Sequence, residues 1–313
     1  MNLSLRDHSR CGLWMIFALC AAVILAEPTA SAQTFDCEIP ARPADNFTVA
    51  RFRCLIPAGL ETVRGVLVLV PGHNEDGRPL VDKDGWPAFA SEHQLALLGC
   101  QFEDDDRRDY SNAMRGSGLA VTQALRDFDR LTGRRDLGQS NFMVWGISSG
   151  AQFAASMTLY KADKMMAFVS VLGAWWTPPY ASSRRVPGLF VSATDQPDGA
   201  AEKTRKLYLE NRTLGANWAL LELDQTKGTP ERVASLAKQF LADSLNLRQK
   251  PETYPGTRLE NISQLDGWVL RDGDDAIVSA AELSRAETAS SFWFPSRAAA
   301  EAWLQSRGKT RAK

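Results

Sequence analysis

The sequence predicts an α/β fold: a mostly parallel central sheet with helices on both faces. Three observations lead there. Short runs of apolar, β-branched and aromatic residues alternate with amphipathic segments along most of the chain. One run, Gly65 to Val70, is apolar at nearly every position, as a central strand buried on both faces should be. No internal repeat or low-complexity linker breaks the series. Strands alternating with helices imply parallel βαβ units.

The elements follow in order. Phe47 to Ile56 mixes β-branched, aromatic and charged residues and reads as a strand. Gly65 to Val70 comes next, ended by Pro71-Gly72, and Leu95 to Phe102 is the third strand. Val121, Leu125, Phe128 and Thr132 recur at helical spacing, with Gly133 placed to end the helix. Phe142 to Trp145 returns to strand and Ala151 to Tyr160 to helix. Met166 to Leu172 and Leu189 to Ser192 are further strands, followed by a helix from Ala200 to Leu214. Trp218 to Leu223 is the last strong strand, and Val233, Leu236, Phe240 and Leu245 mark the helix after it. Residues 249–313 are punctuated by Pro and Gly, with one helix near Ser296 to Ser306. They read as a tail packed on the same domain.

The amino terminus is of another kind. Arg6 and Arg10 precede an apolar run from Leu13 to Ala26, and Ala30-Ser31-Ala32 closes the segment before Gln33. That is the order of a secretory signal peptide, so residues 1–32 are expected to be removed and the protein to be periplasmic or secreted. The run is shorter than the ~20 residues of a spanning helix, so no membrane attachment is expected after cleavage. Lys and Arg number 36 against 37 Asp and Glu, which argues against a nucleic-acid partner. A hydrophobic content of 44% argues against a disordered acidic chain. Beyond the leader only His73 and His93 remain as histidines, and Cys37, Cys54 and Cys100 as cysteines. Export permits disulfides. Cys37 and Cys54, close in sequence and both in the amino-terminal β region, are expected to pair, and Cys100 to be a buried thiol. No Cys or His pair has metal-ligand spacing, so neither a metal nor another cofactor is expected.

Gly146-Ile147-Ser148-Ser149-Gly150 matches G-x-S-x-G, directly after a strand and at the start of a helix. A serine on so sharp a turn carries its Oγ above the carboxyl ends of the strands, the setting of a nucleophile. Pro71-Gly72-His73-Asn74 follows the strand Gly65 to Val70. A backbone N–H from that loop and the one after the nucleophile, here those of His73 and Ser149, would form an oxyanion hole.

At these residues the chain resembles the exported α/β-hydrolases related to dienelactone hydrolases and polyester depolymerases. The likeness runs through Arg64-Gly65-Val66 into Pro71-Gly72, Trp86 with Phe89-Ala90, Gly146 to Ala154, Val186-Pro187-Gly188-Leu189 into Asp195, and Gly215-Ala216-Asn217-Trp218. It covers Phe47 to Leu245, with a weaker echo in Gly267-Trp268 and Trp293 to Trp303. It implies an α/β-hydrolase fold over residues 33–248, Ser148 as nucleophile, Asp195 as triad acid, and an ester of a small molecule or polymer as substrate.

One part of that pattern is absent. The triad histidine should lie in the loop after Trp218 to Leu223. That loop reads Asp224-Gln225-Thr226-Lys227-Gly228-Thr229-Pro230-Glu231, and no histidine follows His93. Thr229 stands at the family's histidine position, where Thr-Pro-Glu before an amphipathic run reads as a helix N-cap. Losing such a histidine costs on the order of 10⁶ in turnover, leaving roughly 10³ to 10⁴ over water. His73 is a substitute base on the other side of the site. His93 reads as a surface group, Lys227 as a charged loop lysine, and Asp198 as a second candidate acid. Trp175 and Trp176 follow the strand Met166 to Leu172, at the sheet edge where ligands bind, and are either substrate-binding or packing residues. The charged run Glu103 to Asp109, at the same edge, is a polar-ligand site or a solvated loop. Three functions stay open: a serine ester hydrolase with an unusual base or none, a pseudoenzyme that binds a small molecule or glycan, and a structural or interaction module.

Overall fold

Alternation along the strands decides which helices cover which face of the sheet. The computed structural model describes residues 31–105, 107–250, 255–271, 273 and 275–308. The predicted signal peptide lies outside these, apart from Ser31 and Ala32. The elements in chain order are β1 (Gln33–Glu38), β2 (Val49–Ile56), β3 (Gly65–Val70), α1 (Trp86–Glu92), β4 (Leu95–Glu103), α2 (Ser117–Thr132), β5 (Phe142–Ile147), α3 (Ser149–Lys161), β6 (Met165–Val171), α4 (Ala181–Arg184), β7 (Gly188–Ala193), α5 (Ala200–Thr213), β8 (Trp218–Leu223) and α6 (Thr229–Arg248). They form an eight-stranded sheet in the order β1-β2-β4-β3-β5-β6-β7-β8. The pairs β1/β2 and β2/β4 are antiparallel, and all others are parallel.

In β3, Val66, Val68 and Val70 enter one core while Leu67 and Leu69 enter the other, all fully buried. The valine face packs with Val121 and Phe128 of α2, Phe153 and Met157 of α3, and Tyr208 of α5. The leucine face packs with Trp86 and Phe89 of α1 and Phe240 of α6. Strands β3, β6 and β7 are buried throughout, which explains their continuous apolar sequences. Gly133 ends α2 in the left-handed conformation, φ 72°, as its position predicted.

Two features were not foreseen. Strand β1 is a mostly exposed edge, bound to β2 by the ion pairs Arg51–Glu38 and Arg53–Asp36 at 2.8 Å each. The tail has a sheet of its own: β9 (Trp268–Leu270), β10 (Ile277–Ser279), the short helix α7 (Arg285–Ala289), β11 (Phe292–Phe294) and α8 (Arg297–Gly308), with β9 central and both pairings antiparallel. Residues Ala299, Ala300 and Trp303 of α8 join the leucine-face core, and the Trp303 indole donates to the Leu220 carbonyl at 3.0 Å. Buried Arg212 donates to the carbonyls of Ala216, Thr288 and Ser291, tying α5 to the tail.

The expected disulfide is absent. Cys37 stands opposite Phe52, and Cys54 opposite Phe35. The two cysteines are therefore diagonal neighbours, a placement with Cα atoms about 7–8 Å apart and beyond the usual bridging range. Both are free thiols, as is Cys100. Burial pushes the Cys37 and Cys54 thiols up to about 12 and raises Cys100 as well. Unreduced protein beginning at Gln33 should show Cys37, Cys54 and Cys100 all alkylated after denaturation. An intact mass short by two hydrogens would contradict this register.

Candidate active site

Ser148 sits between β5 and α3 with φ 55° and ψ −119°. An L-residue holds that conformation at a cost of about 1–3 kcal/mol, and only when its surroundings dictate it. The surroundings are backbone. The Ser148 N–H donates to the Val171 carbonyl at 2.9 Å, and the Ser148 carbonyl accepts from the N–H groups of Ala151 and Gln152 at 3.0 and 3.3 Å. A Cβ on Gly146 would lie 2.0 Å from the Gly150 carbonyl oxygen, and one on Gly150 would lie 2.3 Å from the Val70 oxygen. Both motif glycines are therefore steric requirements of the turn. Ser148 is exposed, and its hydroxyl makes no hydrogen bond among the described residues.

The predicted oxyanion donors are the backbone N–H groups of His73 and Ser149. The His73 and Ser149 N–H groups have no hydrogen-bond partner among the described residues. Their loop is anchored from below. The buried Tyr110 hydroxyl donates to the Gly72 carbonyl at 3.0 Å, and the Gly72 N–H donates to the Glu75 carboxylate at 3.1 Å. Burial pushes the Tyr110 phenol well above its ordinary range, so it stays a donor. The Asp104 N–H donates to the Asn74 side chain at 2.9 Å, joining the loops after β3 and β4.

Asp195 lies two residues past β7, as predicted, but its carboxylate is occupied. It accepts the Thr226 N–H at 2.7 Å and the Thr226 hydroxyl at 3.3 Å. The side chain that meets the acid is thus Thr226, not Thr229. Thr229 is buried within α6, and its hydroxyl donates to the Gln225 carbonyl at 2.9 Å. The N-cap is Gly228, at φ 68°, so the Thr-Pro-Glu pattern placed the helix start one residue late. Asp198 is exposed in the turn Pro197–Gly199, at φ 57°. His93 caps α1, half-buried, with its ring 4.5 Å from that of Phe89, and burial lowers its pKa. It is not the solvated group expected.

The tryptophan pair divides. Trp176 packs inward, its ring 5.2 Å from Phe190 and its indole N–H 3.1 Å from the Thr204 hydroxyl. Trp175 is 62% exposed, with Lys203 Nζ 3.5 Å from its ring centroid. It borders an open groove of about 450 Å³ with Pro178, Arg184, Lys203 and Leu207; Ser148 does not line this groove.

One residue stands out that sequence reasoning left inside a charged run. The Asp104 side chain is 3% exposed, with His73 Nδ1 3.5 Å from its Oδ1. Oδ2 accepts the Tyr110 N–H at 2.9 Å, while Oδ1 has no hydrogen-bond partner among the described residues. Burial raises the Asp104 pKa, against the opposing pull of the Tyr110 N–H and of His73.

No protein-family model and no curated protein matches the chain. Solved structures do. A ferulic acid esterase is similar at 10% identity and TM-score 0.52, over 69% of this chain and 99% of its own. A poly(3-hydroxybutyrate) depolymerase from Bordetella parapertussis is similar at 15% identity and TM-score 0.49, over 68% of this chain and 88% of its own. An S-formylglutathione hydrolase from Staphylococcus aureus is similar at 10% identity and TM-score 0.45, over 70% and 99%. The fold is that of the α/β-hydrolases.

Two predictions follow from this geometry. Gly146→Ala and Gly150→Ala each force a Cβ into backbone and should cost about 1–3 kcal/mol or more, read from urea unfolding. Gly59→Ala, at φ 75° with open space around it, should cost less. The second concerns pH. Because the folded pKa of Asp104 is raised above 3.8, the folded chain holds this proton more tightly than the unfolded chain. Ionisation therefore subtracts stability as pH rises from 3.8 through the folded value. Asp104→Asn should gain stability relative to wild type across that window and keep the gain at neutral pH.

Proposed function

We propose that this chain is an exported serine ester hydrolase, acting on an ester of a small molecule or polymer through Ser148. The observation that carries this reading is the strained serine turn beside two unpaired N–H groups. Strain of this kind at an exposed serine on a strand-to-helix turn is a recurrent feature of nucleophile sites. In this reading Ser148 Oγ attacks the ester carbonyl, and the N–H groups of His73 and Ser149 receive the oxyanion, aided by the positive end of α3. Trp175 and its groove offer an apolar wall to the part of the substrate remote from the reacting bond, and Trp176 supports that wall from beneath. The chain works free of the membrane once its leader is cleaved, with no nucleic-acid partner.

A second reading, binding without turnover, is favoured by Asp195, whose carboxylate is engaged by Thr226 instead of a histidine. A fluorophosphonate probe, with peptide mass spectrometry, separates the two. The expected result is a label on Ser148, absent in Ser148→Ala, together with p-nitrophenyl acetate hydrolysis that the same substitution abolishes. Equal ester turnover in both proteins and no label would leave the binding reading in its place.

A further inference from the structure

Strands β4, β3 and β5 are consecutive in the sheet. Just past the carboxyl end of each stands a residue with acid–base or nucleophilic chemistry: Asp104 after β4, His73 in the loop after β3, and Ser148 after β5. The sheet therefore places a histidine between an acid and a serine. The usual triad of this fold runs the other way, from the serine across β6 to an acid after β7 and a histidine after β8. On that side this chain has Thr226 against Asp195.

The contacts fit the order. His73 Nδ1 faces the Asp104 carboxylate at 3.5 Å, and the Oδ1 it faces has no other partner among the described residues. The His73 ring stacks parallel to Tyr110, at 6.2 Å between centroids and 9° between planes. Tyr110 is itself stacked on Phe102, and its hydroxyl lies near that of Ser149. The His73 side chain is 60% exposed. The loop that bears it lies against the serine turn: Val70 pairs with Gly146, and the carbonyls of Val70 and Pro71 press on Gly150. The titratable and polar groups that act on Asp104 and Tyr110 are His73, Asp105 and Asp109 for Asp104, and Asp104, Ser149, Glu75 and Cys100 for Tyr110.

We infer that His73 is the proton acceptor for Ser148 and that Asp104 is its positioning residue, an inference that rests on Ser148 being a nucleophile. As the bond from Ser148 Oγ to the ester carbon forms, the hydroxyl proton passes to His73 Nε2. The carbonyl electron pair moves onto the oxyanion. When the oxyanion collapses, the bond to the leaving alkoxide breaks and Nε2 returns the proton to it. Water then adds to the acyl-enzyme by the same route, giving the acid and free Ser148. Asp104 holds the ring by Nδ1 and balances the transient imidazolium. At 3.5 Å the two groups are in ion-pair range and must draw closer to share a hydrogen bond.

The test is p-nitrophenyl acetate hydrolysis by wild type and by the Ser148→Ala, His73→Ala, His73→Gln, Asp104→Asn and His93→Ala variants, with unfolding measured for each. His73→Ala and His73→Gln should each lower the rate by about 10² to 10⁴. Added free imidazole should restore part of the His73→Ala loss, which repair of a merely structural residue would not do. Asp104→Asn should lower kcat by up to about 10⁴ with KM unchanged and no loss of stability. His93→Ala should match wild type. Wild-type rates in His73→Ala, with Ser148→Ala inactive, would overturn His73 as base and leave the serine reading standing. A wild type no faster than Ser148→Ala would overturn both.

Discussion

The contact on which the site depends is between backbones, where the start of α3 meets the end of β3. Gly150 comes so close to the carbonyls of Val70 and Pro71 that no side chain fits between them. That approach forces β5 to turn into α3 within one residue, and Ser148 takes up the strain at φ 55°. The same approach sets the backbone of Val70 and Pro71 against the first turn of α3. Tyr110 and Asn74 then bind the loop after β4 to the loop after β3. Three separate segments thus become one rigid edge because two glycines let two backbones touch. On the proposed ester-hydrolase reading such anchoring would serve the oxyanion donors, which must be in place before charge develops.

Much of this was legible in the sequence, for physical reasons. Strand β3 matches its predicted bounds because burial on both faces writes an unbroken apolar run between polar turns. Ser148 was legible because the turn it occupies admits glycine alone at two flanking positions. Strand β1 was not, since an exposed edge strand is selected for charge and has little apolar alternation to read. The tail strands of three residues each are too short for any period to emerge. Trp175 and Trp176 are neighbours with the same chemistry, and only the turn of the chain sends one into the core and the other to solvent.

Asp104 was the deepest omission. In the sequence it is one of seven consecutive charges, and nothing in composition or spacing marks it. What distinguishes it is burial beneath Asn74 and Tyr110, a property of two loops that meet only when β3 and β4 pair. Thr226 was hidden for a related reason. The family resemblance put Thr229 at the histidine position and its sequence context read as an N-cap, but Gly228 adopts the left-handed conformation and starts the helix without a side-chain cap.

The two acids at this edge now stand in opposite states. Asp195 is exposed, and each of its oxygens accepts a bond from Thr226, which helps to hold the loop between β8 and α6. Asp104 is buried, with one oxygen held by the Tyr110 N–H and the other unpaired beside an imidazole. An exposed, satisfied carboxylate costs a fold almost nothing. A buried oxygen without a partner costs about 1–3 kcal/mol, and an asparagine or a serine at the same place would avoid the charge. Buried oxygens without a partner also occur elsewhere among the described residues, at Ser192, Asn217 and Ser244 for example, so what sets Asp104 apart is the imidazole beside its Oδ1. If His73 is the proton acceptor for Ser148, the acid placed to serve it is Asp104. Asp195, where the α/β-hydrolase pattern places its acid, here latches Thr226 instead.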